Sequence, residues 1–102
     1  MRAEVPVCFE REVSATVAEF ERDLRKAWPP GVDVSAVGAR TAFTLRDGDV
    51  TLEITVEAID ARRIGLLVLP RLHARYLFDG GDARTRTAWL MRLDRAMQRG
   101  GG

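Results

Sequence analysis

Side chains able to act as nucleophile, acid or base are few in this chain: one histidine, His73, one cysteine, Cys8, one tyrosine, Tyr76, and two serines, Ser14 and Ser35. His73 lies between Arg71 and Arg75. Two flanking cations oppose a third positive charge, and no carboxylate stands next to it in sequence to orient its ring for proton transfer. Ser14 is placed to cap a helix rather than to attack a substrate. One histidine and one cysteine without clustered carboxylates cannot assemble a transition-metal site within one chain. Gly80-Gly81-Asp82 opens a helix, but Asp79 and Asp82 would repel a phosphate there. The chain therefore reads as a non-enzyme with no catalytic, cofactor-binding or metal-binding residues. Cys8 has no second thiol for an internal disulfide, and its place in an apolar alternating stretch predicts a buried, inert thiol.

Arginine is the most abundant chemistry-bearing residue, with 15 copies against one lysine. Its distribution is uneven: residues 1–61 carry 7 basic and 12 acidic side chains, and residues 62–102 carry 9 basic and 3 acidic ones. At 100° per residue, Arg84, Arg92, Arg95 and Arg99 group on one side of the last helix, opposite its apolar stripe. Such a ridge suits an anionic ligand or nucleic acid. The alternative is internal pairing with Glu19, Glu21 or Asp23 of an acidic first helix, which a net charge of only +1 favours. A third candidate is apolar. Leu67, Leu69 and Leu77, with His73 and Arg75, fall on the outer face of a sheet, where contiguous apolar surface marks a protein partner or a homodimer.

The elements that position these residues follow from two periodicities. Val5, Val7 and Phe9 alternate, predicting a strand over 3–9 with Pro6 at an edge or irregular position. Val17, Phe20, Leu24, Ala27 and Trp28 recur at helical spacing, predicting a helix over 15–28 capped by Ser14 and ended by Pro29-Pro30-Gly31. From Val32 the period is two for about 45 residues. Gly38-Ala39 forms a two-residue turn that sets Val34 opposite Phe43. Asp47-Gly48 forms a second turn that sets Leu45 opposite Val50 and Phe43 opposite Leu52. Leu52, Ile54, Val56 and Ala58 face inward on the next strand. After a loop at Asp60 and Ala61, the run Ile64 to Leu69 reads as a fifth strand apolar on both faces, with Val56 opposite Leu66. Pro70 ends that strand, and Leu72, Ala74, Tyr76 and Phe78 face inward on a sixth. Asp82 caps a second helix over 83–98, whose stripe is Trp89, Leu90, Leu93, Ala96 and Met97, with Gly100 at its end.

The expected class is α+β, in the order β-α-β-β-β-β-β-α, an antiparallel meander with both helices on one face. That layout resembles the topology of the TATA-box-binding-protein half-repeat and of helix-grip domains. The helix-grip resemblance implies a small hydrophobic-ligand pocket between helices and sheet, lined here by Phe43, Tyr76, Phe78 and Trp89. The 102 residues divide into one domain over 1–99 and a flexible glycine tail over 100–102. The tail is similar to the terminal double glycine of ubiquitin-like carriers, although it follows a helix rather than a β-grasp strand. The longest apolar run spans six residues, Ile64 to Leu69, too short for a membrane span, and Glu4, Glu10 and Glu12 leave no apolar leader. A cytoplasmic interaction or oligomerisation module is the expected role.

Overall fold

Three glycines, Gly38, Gly48 and Gly65, turn the chain back on itself, and all three have φ near +60° while no non-glycine residue among those described has positive φ. Each is the first of the two residues of a tight hairpin turn, the position at which a type II′ turn demands glycine. The computed structural model describes residues 5–97. In chain order it comprises β1 Cys8–Val13, α1 Val17–Ala27, β2 Asp33–Val37, β3 Arg40–Asp47, β4 Val50–Ile64, β5 Leu67–Asp79 and α2 Ala83–Met97. The class is α+β. The sheet is antiparallel and its strand order is β1-β5-β4-β3-β2, so β2 to β5 form a meander and β1 returns to cover the free edge of β5.

Five strands replace the six expected. The reading of Ile64 to Leu69 as one buried strand fails at Gly65, where the chain reverses and Ile64 pairs with Leu67. The expected loop at Asp60 and Ala61 is instead a bulge in β4: Ile59 pairs with Arg71 and Arg62 with Leu69, leaving Asp60 and Ala61 opposite Pro70 alone. A bulge tolerates proline within a ladder, so Pro70 does not end β5. Val56 consequently faces Ala74 and not Leu66.

The turn at Gly38-Ala39 has the expected register, with Val34 opposite Phe43. The next turn is Gly48-Asp49, so Leu45 pairs with Leu52 and Phe43 with Ile54. Both this register and the expected one keep the same residues inward, because they differ by two and the side-chain period is two. Turn chemistry decides between them, since placing Gly48 first leaves glycine as the only residue with positive φ.

The first helix starts later than expected. Thr16, not Ser14, is its cap: the Glu19 N–H donates to Thr16 Oγ1 at 3.2 Å, and the Thr16 N–H donates to Glu19 Oε1 at 2.9 Å. Two of the helix's orphan donors are thereby satisfied reciprocally. The second helix begins as expected, with the Thr85 N–H donating to Asp82 Oδ1 at 2.8 Å, and it is described to Met97. Gly100 and the glycine tail lie outside the described residues.

Both helices bury their stripes on one sheet face. Phe20, Leu24, Ala27 and Trp28 from α1, and Trp89, Leu90 and Leu93 from α2, meet Phe43, Leu45, Leu52, Ile54, Val56, Leu72, Ala74, Tyr76 and Phe78. Trp28 and Trp89 lie 4.4 Å apart at their ring centres, and Phe78 meets Trp89 edge to face. The four side chains expected to line a ligand pocket are thus core residues, each buried. Strand β1 lies later than expected, and its inward residues are Phe9, Arg11 and Val13, opposite Tyr76, Ala74 and Leu72. Arg11 is tolerated facing inward because it pairs with Asp94 of α2 at 2.8 Å and lies over the rings of Phe9 and Tyr76.

Candidate interaction surface

The pairing of β3 with β4 stops at Arg40 and Glu57, and the pairing of β1 with β5 stops at Val13 and Leu72. Strands β4 and β5 nonetheless continue to Ile64 and Leu67. Residues 58–71 are therefore a two-stranded arm projecting beyond the sheet. Its tip is apolar and uncovered among the described residues: Ile64 is 51%, Leu66 103%, Leu67 60% and Val68 52% exposed. Hydrophobic side chains at such exposure contribute little to the fold, and clustered at a tip they make a contiguous apolar patch.

A single arginine braces the arm. Arg71 Nε donates to the Asp60 carbonyl in the bulge at 2.8 Å, and its guanidinium pairs with Glu12 of β1 at 3.3 Å. The bulge bends the ribbon, and Arg71 ties that bend to the sheet edge. Beyond the brace, Arg62, Arg63 and the Asp60 side chain are exposed and have no ion-pair partner among the described residues.

Strand alternation places Leu67, Leu69, Arg71, His73, Arg75 and Leu77 on one side of β5. The five residues expected to form one interaction face are therefore split. Leu67 and Leu69 belong to the arm, and Leu77 lies at the far end of β5, opposite Cys8 and Glu53. Between them the outer face is charged. His73 Nε2 contacts Glu10 Oε1 at 2.5 Å, and Arg40 pairs with Glu57 at 3.1 Å. Glu10, Arg40, Thr55, Val56, Glu57, His73 and Arg75 line a shallow open groove of about 280 Å³. The carboxylates around His73 come from neighbouring strands, which linear spacing cannot show.

Cys8 is exposed on this outer face, contrary to the buried thiol expected, because β1 begins there and turns Phe9 inward instead. The neighbouring Cys8 is the chief cause holding the Arg75 guanidinium above its ordinary value, and the charges of Glu10 and Glu53 add to it. Among the described residues no group of three or more His, Cys, Asp or Glu is placed to hold a metal ion.

Two of the helix-two arginines are engaged within the chain. Arg92 stacks over Trp28 at 4.4 Å, and Arg86 Nε donates to the Val5 carbonyl at 2.8 Å. Arg84 stands beside the Asp82 cap, whose carboxyl is held below its ordinary value mainly by hydrogen bonds at Thr85. Arg95 is exposed, and Arg99 lies outside the described residues. On α1, Glu21 pairs with Arg25 and Asp23 with Arg22, both within the helix.

No protein-family model matches the chain, and no curated protein matches it. No helix among the described residues is long and apolar enough to cross a membrane.

Proposed function

We propose that this chain is a non-catalytic interaction module that self-associates through its β4–β5 arm, with Leu67 and Leu69 in the contact. The observation that supports this reading is the uncovered apolar tip on a ribbon that the core does not need. Such a patch is costly to leave in water, at roughly 25 cal/mol per Å² of apolar surface. A symmetric dimer removes it using the same surface on both copies. Sedimentation velocity over a range of concentrations tests the reading. Wild type shifts from monomer to dimer, and Leu67→Ser/Leu69→Ser remains monomeric with an unchanged unfolding midpoint. A double variant that associates as strongly as wild type overturns it.

The anion-binding alternative has weaker support, because Arg92 is held against Trp28.

A further inference from the structure

Resting on the proposed self-association, we infer that two copies stack outer face on outer face, tip over tip, about a two-fold axis running along the strands between β4 and β5. The strand pairings sort the arm into two faces. Ile59, Arg62, Ile64, Leu67, Leu69 and Arg71 share the outer one, and Ala58, Arg63, Val68 and Leu72 share the inner one. Four large apolar side chains thus stand together on the outer face of the arm. That face runs on into the outer face of the sheet, on the side away from both helices.

The charges beside the arm select the axis. Where the arm joins the sheet, Glu12, His73, Glu57 and Arg40 stand directly opposite one another in one row across β1, β5, β4 and β3. The row alternates acid, base, acid, base. An axis through its midpoint sets Glu12 over the partner's Arg40 and His73 over the partner's Glu57, each twice. The same axis sets Leu67 over the partner's Ile64, Leu69 over the aliphatic stem of the partner's Arg62, and Arg71 over the partner's Ile59. No two like charges meet in these rows. An axis across the strands would overlap the arms alone and leave the charged row unmatched. Centred on the Arg62 and Leu69 pair, it would also set Arg62 over its own copy. Twisted sheets stack face to face with their strands nearly aligned, which an axis along the strands produces.

Two equally exposed residues test the face, on the full chain by sedimentation equilibrium with circular dichroism as the check on folding. Ile64, 51% exposed, lies on the outer face, and Val68, 52% exposed, lies on the inner one. Ile64→Ser should weaken dimerisation about tenfold or more, and Val68→Ser should leave it within about twofold of wild type. Native Cys8, exposed opposite Leu77 on the outer face, tests the axis when it carries a spin label. At about 3.3 Å per residue between Leu69 and Leu77, an axis across the strands would hold the two labels about 50 Å apart, whereas the axis along them brings them within about 30 Å. Equal effects of the two serine variants, a larger effect of Val68→Ser, or labels about 50 Å apart overturn the inference. If Leu67→Ser/Leu69→Ser still dissociates the dimer in that case, self-association through the arm stands and only the stacking falls. A wild-type chain that is monomeric at every concentration overturns both.

Discussion

Strands β4 and β5 run through two environments, one covered by the helices and flanking strands and one open to water. Between Leu52 and Val56, and between Leu72 and Phe78, the inward residues are at most 3% exposed, covered by α1 and α2. Beyond Glu57 and Leu72 the same strands leave the cover of β3 and β1, and the apolar residues at their ends face outward into water. Both stretches are rich in leucine, isoleucine and valine. In the first, apolar side chains are spent on the core; in the second they are available to a partner.

Truncating one leucine in each stretch sharpens that contrast most. Leu52→Ala removes a fully buried side chain and should cost about 2–5 kcal/mol in chemical denaturation. Leu67→Ala, in a chain kept dilute enough to be monomeric, should cost less than about 0.5 kcal/mol. Comparable losses would mean that the arm is part of the core. The turns offer a second contrast. A Cβ at Gly80 would meet the Asp49 carbonyl at 2.3 Å, whereas one at Gly65 meets nothing within 4 Å. Both glycines have positive φ, so alanine is strained at either, by about 1–2 kcal/mol. Gly80→Ala should therefore be the more damaging, and equal losses would contradict the close approach at the base of the sheet.

Smaller effects belong to the helix-covered half alone. Thr16→Ala breaks the capping box and should cost about 1 kcal/mol, whereas Ser14→Ala should be nearly neutral. Burial pushes the Tyr76 phenol from 10.0 up to about 12, with Arg11 pulling the other way. The fold favours the neutral phenol, so its contribution is fully present below pH 10 and is lost as the pH rises toward 12. Unfolding followed by denaturant across that window should show stability falling with pH, and Tyr76→Phe should flatten the fall.

Most of the covered half was legible in the sequence, because alternation and helical spacing identify inward faces without knowledge of partners. Phe43, Leu45, Ile54, Tyr76, Phe78, Trp89 and Leu93 all lie where those periods put them. The arm was legible only in part. An unbroken apolar run reads as a buried strand, and Gly65 inside it carries the turn signal already present at Gly38 and Gly48. The cap had a signal too, in the spacing of Thr16 and Glu19. Cys8 had one as well, because a strand that turns Phe9 inward turns its neighbour outward. The carboxylates beside His73 are fixed by strand pairing between β1, β4 and β5, which only the folded sheet supplies.

The division between a core that folds the chain and an arm that binds is tested most directly by sedimentation velocity of wild type and Leu67→Ser/Leu69→Ser across the same concentrations, each with its unfolding curve. The expected result is a wild-type dimer that dissociates on dilution, a variant that is monomeric throughout, and superimposable unfolding of the two monomers. A wild type that is monomeric at every concentration, or a variant that loses stability together with association, would contradict it.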